Sequence, residues 1–317
     1  MNKTAFFFPG QGSQSIGMMT GFMSESGDNL VIKQVFTEAS DILNTDFWAM
    51  ATAPNELLNL TQNTQPLMLI AGIATYRAYL EVGGLQASIH AGHSLGEYTA
   101  LVAANALSFA DALPLVKYRA EVMQSAVPEG VGAMAAILGL DDELVREACI
   151  EAAHDFRLNG EVCEAVNYNS IGQVVIAGNK AAVERAMEIA KASGAKRVLP
   201  LPVSVPSHCA LMRPAAEKLA EYLKNVTINT PQIPVIHNAD VASYNDANKI
   251  KAALVRQLYS PVRWVETVQA IYGQGITSAA ECGPGKVLAG LTKRIVAELP
   301  CVALTSNEAI AEFISNQ

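Results

Sequence analysis

The chain has 317 residues, 50% of them hydrophobic and 16% charged, which suits a sizeable core with more than one folding unit and excludes a disordered chain. A net charge of −8 offers no broad basic surface for nucleic-acid phosphates, so no nucleic-acid partner is expected. The five cysteines, Cys149, Cys163, Cys209, Cys282 and Cys301, are widely spaced without a C-x-x-C pair, which argues against a disulfide framework or a zinc site and fits a reducing cytosol.

Residues 4–8 read as a buried first strand whose apolar run stops at Pro9-Gly10, too short for the core of a signal peptide. No other segment offers about 20 uncharged apolar residues, so no membrane span is expected. The turn Pro9-Gly10-Gln11-Gly12-Ser13-Gln14 contains G-x-G but lacks the residues that complete a dinucleotide or triphosphate fingerprint. It reads equally as a tight strand-to-helix turn or as a place where a ligand approaches the backbone. Residues 30–44 and 65–82 read as helices, the second with Pro66 in its first turn and Leu69, Ile73 and Tyr76 at helical spacing.

After Gly83-Gly84 and a short strand over 86–91 comes Ala91-Gly92-His93-Ser94-Leu95-Gly96-Glu97-Tyr98. The G-x-S-x-G pattern puts a serine on a sharp strand-to-helix turn, where glycines remove the Cβ atoms that would collide. Ser94 is therefore the candidate nucleophile, standing at a helix N-terminus that also favours an oxyanion. The next helix is predicted from an Asp111 N-cap, with Pro114 in its first turn, to about residue 127. At about 100° per residue, Leu113, Val116, Ala120, Met123 and Val127 form an apolar stripe, and Arg119 falls inside the apolar sector between Leu115 and Val122. A guanidinium there requires an internal carboxylate, a route to water along its stem, or a substrate carboxylate to clamp.

Residues 128–202 have a different texture. Strands at 132–138, 162–168, 173–177 and 197–201 alternate with helices at 141–153 and 180–193, the βαββαβ order of a ferredoxin-like unit inserted between main-body segments 1–127 and 203–317. The return to the main body brings Pro206-Ser207-His208-Cys209, with His208 at a helix start. A serine nucleophile needs a base, and His208 is favoured over His237, which sits at a strand end. Cys209 reads as packing. A helix over 246–259 carries Gln257, residues 276–288 read as strand, turn and helix, and the tail after Leu304 is weakly helical. No acidic residue stands where a hydrolase triad expects one, because Asp141, Asp142 and Asp155 all fall in the insert.

The stretches FFFPGQGSQ, AGHSLGEY, YRAEVMQSAVPEGVGAMAAILGL, NYNSIGQVVIAG, LPVSVPSHCALMRPAAEKLA, LVRQLYSPVRW and ECGPGKVLAGLTKRIV together resemble the bacterial malonyl-CoA:acyl carrier protein transacylases of type II fatty-acid synthesis, over nearly the whole chain. The resemblance implies an α/β fold with an α/β-hydrolase-like three-layer main domain and a ferredoxin-like insert. It implies a cytoplasmic acyltransferase without cofactor, whose partners are malonyl-CoA and acyl carrier protein and which works through a malonyl-serine. By the same resemblance Ser94 is the nucleophile and His208 its base. The main chain of Gln257 orients the histidine, and the backbone N–H groups of Gln11 and Leu95 form the oxyanion hole. Arg119 meets the malonyl carboxylate, and Asn167 lies near the substrate. The runner-up is a serine esterase or thioesterase built on the same turn. A non-catalytic docking module is disfavoured by the presence of nucleophile, base and arginine together. A basic edge drawn from Lys196, Arg197, Lys286, Lys293 and Arg294 is expected to receive the acidic carrier protein.

Overall fold

The computed structural model describes residues 3–23, 29–155, 160–203 and 205–317, so Ser204 of the predicted return segment lies outside the described residues. Strand β1 (Thr4–Phe8) is buried along its whole length. Its side chains alternate: Phe6 and Phe8 enter one core, and Ala5 and Phe7 the other. A strand apolar on both faces belongs inside a parallel sheet covered on both sides.

The chain then runs through α1 (Leu30–Leu43), α2 (Phe47–Thr52), α3 (Thr61–Glu81), β2 (Ile89–Gly92), α4 (Gly96–Ala103) and α5 (Phe109–Gln124). Next come β3 (Gly132–Leu138), α6 (Asp142–His154), β4 (Cys163–Ser170), β5 (Gln173–Asn179), α7 (Lys180–Ala192) and β6 (Arg197–Pro200). The last stretch carries α8 (Arg213–Leu223), β7 (Val235–Ile236), α9 (Ala247–Gln257), α10 (Trp264–Gly273), β8 (Ser278–Glu281), α11 (Val287–Ile295), β9 (Cys301–Ala303) and α12 (Asn307–Ser315). The first sheet, ordered β7-β2-β1-β8-β9, is parallel, and the second, ordered β4-β5-β3-β6, is antiparallel. The chain is thus α/β, with its nucleophile turn directly after β2, next to the central strand.

Several local readings change, among them Pro114, which lies inside α5 rather than in its first turn. Helix α3 begins at Thr61, so Pro66 lies inside it rather than in its first turn, and the proline leaves one main-chain hydrogen bond unmade. Burial on nearly every side compensates, since α3 packs against both α1 and α5. Helix α5 is capped by Ser108, not Asp111: the Ser108 hydroxyl accepts from Asp111 N–H at 3.0 Å and donates to the Asp111 carboxylate at 2.7 Å. The tail forms a capped helix, α12, whose Phe313 packs near Phe6 and Tyr79.

The second sheet is knitted to the first body beside the histidine segment. Tyr168 N–H donates to Val262 O at 3.0 Å, and Val262 N–H to Val166 O at 2.8 Å. Cys209 is fully buried against Met134, Val166, Val175 and Ala177 of that sheet, which bears out its reading as a packing residue.

Candidate active site

The turn after β2 is formed by close backbone approach. A Cβ on Gly92 would land on the Gly96 carbonyl, one on Gly96 would land on the carbonyl of Phe8, and one on Gly10 would meet that of His93. Only glycine permits all three, so the first loop of the chain is pressed against the nucleophile turn. Ser94 itself sits at φ 51°, the left-handed region that costs an L-residue energy and recurs where function requires it. Asn238 staples the turn: its Oδ1 accepts from Ser94 N–H at 2.7 Å, and its Nδ2 donates to Gly92 O at 2.7 Å.

His208 Nε2 lies 2.7 Å from Ser94 Oγ. The ring is buried, and its Nδ1 is 2.7 Å from Gln257 O, a carbonyl that can only accept. Nδ1 therefore carries the proton, and Nε2 presents a lone pair to the hydroxyl. His208 N–H also donates to Leu258 O at 3.0 Å. Both acceptors are carbonyls at the C-terminal end of α9, where the last turn has no partner within the helix and the dipole is negative. A helix end thus takes the position for which the sequence offers no acid. Burial, and then the nearby Arg119 charge, pushes the His208 pKa down to about 3. His208 does not start a helix: it stands at φ 67°, two residues before a short turn over 210–212 that leads into α8.

Arg119 is 1% exposed, as the helical phase predicts. No carboxylate contacts it directly among the described residues. Nη1 donates to Gln65 Oε1 at 2.7 Å, Nη2 to Gln257 Oε1 at 3.0 Å and to Ser94 Oγ at 3.3 Å, and the guanidinium lies 5.4 Å from the centre of the Tyr98 ring. Neutral amide oxygens and a π-face hold the cation without neutralising it, which leaves its charge for an incoming anion. Burial lowers its pKa, the direction expected of a desolvated cation.

Of the other predicted residues, Leu95 follows Ser94 at the entry to α4, and Gln11 lies in the loop against His93. Neither main-chain N–H donates to a protein acceptor among the described residues. Gln257 contributes more than its carbonyl, because its Nε2 donates to Ser94 O at 3.0 Å and to Glu97 Oε2 at 2.9 Å. Asn167 is not drawn into this network: its Oδ1 is buried without a partner, while its neighbour Asn169 bonds His93 at 2.8 Å. His237 does not compete for the serine, since its Nδ1 is engaged by Glu97 at 2.6 Å. Sequence reasoning missed Gln65, Glu97, Asn169 and Asn238. Only Glu97 carried a signal, as a charge three residues past Ser94 in an otherwise apolar helix.

A half-buried serine paired with a buried histidine, with a guanidinium at the hydroxyl, can form an acyl-enzyme from a substrate that bears a carboxylate. The acyl transferase domain model matches residues 5–308. The malonyl CoA-acyl carrier protein transacylase of Escherichia coli K12 is 52% identical over 312 residues, covering 98% of each chain. The chain belongs to the malonyl-CoA:acyl carrier protein transacylase family. The Haemophilus influenzae member is 52% identical over 319 residues, covering 99% of this chain and all of its own. An acyl-carrier-protein S-malonyltransferase from Burkholderia pseudomallei superposes with a TM-score of 0.94 at 55% identity, covering 99% of each chain. A malonyl-transacylase solved in complex with its type II PKS acyl-carrier protein superposes with a TM-score of 0.95 at 50% identity, covering 99% of this chain and 100% of that one.

Proposed function

We propose that the residues gathered at Ser94 carry out the family's reaction in two displacements. The chain moves the malonyl group of malonyl-CoA to the thiol of acyl carrier protein, in fatty-acid biosynthesis. In the first step Ser94 Oγ attacks the thioester carbonyl as His208 Nε2 takes its proton. The C–S bond then breaks, and the proton passes to the departing coenzyme A sulfur. In the second, the phosphopantetheine thiol gives its proton to His208 and attacks the malonyl ester, and Ser94 Oγ leaves and takes that proton back. The N–H groups of Gln11 and Leu95 receive the oxyanion in both steps. Arg119 pairs with the malonyl carboxylate, and Asn167, with its free Oδ1, is a substrate contact. The chemistry uses side chains and main chain alone, without a cofactor.

The observation that carries this reading is the guanidinium of Arg119, held by neutral amides 3.3 Å from the hydroxyl that His208 engages at 2.7 Å. We read residues 1–127 and 203–317 as an α/β-hydrolase-like main domain and 128–202 as a ferredoxin-like insert, a division supported by the antiparallel order β4-β5-β3-β6. The free cysteines support a cytoplasmic location.

Brief exposure to malonyl-CoA is expected to leave a malonyl adduct in intact-protein mass spectra that Ser94→Ala lacks; absence of the adduct from the unsubstituted protein overturns the reading. Arg119→Ala is expected to lower malonyl transfer relative to acetyl transfer about 100-fold, the loss of two charge-assisted hydrogen bonds at about 1.5 kcal/mol each. Rapid release of free malonate without carrier protein, unaffected by Arg119→Ala, would instead identify a hydrolase.

A further inference from the structure

Glu97 is a carboxylate with no exposure, beneath the nucleophile and without a role in the two displacements. Its surroundings are specific. Oε1 meets His237 Nδ1 at 2.6 Å, while Oε2 accepts from Asn238 N–H at 2.8 Å and from Gln257 Nε2 at 2.9 Å. No Lys or Arg contacts it among the described residues, so its burial is offset by these hydrogen bonds together with the Arg119 charge nearby.

The consequence falls on Gln257. A primary amide has one donating and one accepting end, and the two are nearly the same shape. Glu97 Oε2 and Ser94 O are both acceptors, so they hold Nε2 on their side. Oε1 is then turned to Arg119 Nη2, which it accepts at 3.0 Å. Were the amide reversed, its NH2 would face the guanidinium donor to donor, and Arg119 would lose one of the two amide oxygens that aim it. The other, Gln65 Oε1, holds only Nη1.

We infer that Glu97 is a positioning residue for acyl selection: through the amide of Gln257 it aims Arg119, and so tunes the preference for an acyl group that carries a carboxylate. The inference rests on the reading of Arg119 as the carboxylate clamp. What matters is the reach of an acceptor to Gln257 Nε2, not the charge itself.

Two substitutions separate reach from charge. Glu97→Gln keeps the length and one acceptor oxygen, whereas Glu97→Asp keeps the charge but draws the carboxylate back by one methylene, out of reach of Gln257. Each variant is assayed for transfer from malonyl-CoA and acetyl-CoA to acyl carrier protein, with its melting temperature recorded. The expected result is that Glu97→Asp raises KM for malonyl-CoA and lowers the malonyl-to-acetyl ratio of kcat/KM about tenfold, the equivalent of one misplaced charge-assisted hydrogen bond. Glu97→Gln is expected to stay within about threefold of the parent on both substrates, under 1 kcal/mol. A merely structural brace would lower both substrates together in Glu97→Asp and leave the ratio unchanged, which overturns the inference. So does a ratio that falls in Glu97→Gln and is kept in Glu97→Asp. Should Glu97→Gln fail to fold, the ratio in Glu97→Asp still decides. Arg119→Ala runs alongside: if it leaves the malonyl-to-acetyl ratio untouched, the clamp reading itself has failed, independently of Glu97.

Discussion

At the residue scale, the proposed chemistry depends on a base that burial keeps neutral. A histidine at its ordinary pKa of about 6.5 would be mostly protonated at pH 5.5 and would lose about tenfold in rate. Burial and the Arg119 charge hold His208 down to about 3, so protonation sets in only far below that pH. The kcat/KM of Ser94 malonylation is therefore expected to stay within about threefold between pH 8 and pH 5.5; a tenfold fall with a midpoint near 6.5 would show an imidazole of ordinary pKa. Ser94 and His208, the proposed nucleophile and base, are two of the five non-glycine residues with positive φ among the described residues, so the local backbone holds both at a cost. The arginine was legible because helical phase is a one-dimensional property, and Arg119 falls on an apolar stripe whatever the helix packs against. Its holders, Gln65 and Gln257, were not legible as such, for they come from separate helices, α3 and α9.

At the element scale, the strand–turn–helix from β2 to α4 works because three glycines let backbones touch. Gly96→Ala would drive a methyl group into the Phe8 carbonyl on the central strand, where neither side can retreat. The expected cost is about 3 kcal/mol or more, read as a lower midpoint in urea unfolding, together with loss of activity. Gly273→Ala, on α10 with nothing near its Cβ position, serves as the control and should leave stability within about 1 kcal/mol. The C-terminal end of α9 has the complementary role, since its free carbonyls orient His208 where a triad would use an acid. The helix itself was visible in the sequence. That its last carbonyls point at a histidine 49 residues earlier in the chain was not, because helix geometry says nothing of what faces a helix end.

At the scale of the whole molecule, an acidic chain is expected to carry a local basic edge. Lys196, Arg197, Lys286, Lys293 and Arg294 are all exposed. Gln173 and Arg197 stand in register on either side of Leu138 across β5, β3 and β6, and Arg294 of α11 donates to Gln173 Oε1 at 2.7 Å. The first body and the antiparallel sheet thus contribute to one surface. Acidic acyl carrier protein is expected to dock there: Arg197→Glu with Arg294→Glu should raise KM for carrier protein about tenfold, with KM for malonyl-CoA much less affected. The carrier-protein KM of the parent should also rise steeply with salt. A salt-independent KM, unchanged by the double substitution, would exclude this edge.

The sequence by itself determined the alternation of strands and helices, the position of the nucleophile turn, the βαββαβ order of residues 128–202 and the burial of Arg119. Each of these is written in local spacing, in glycines at fixed offsets or in the 3.6-residue period. Only the tertiary structure decided what the buried arginine meets and what orients the histidine. Gln65, Glu97, Asn238 and the end of α9 converge on Ser94 from four separate segments, and their polar atoms gain meaning only where burial leaves them no water and each must find a partner in another element.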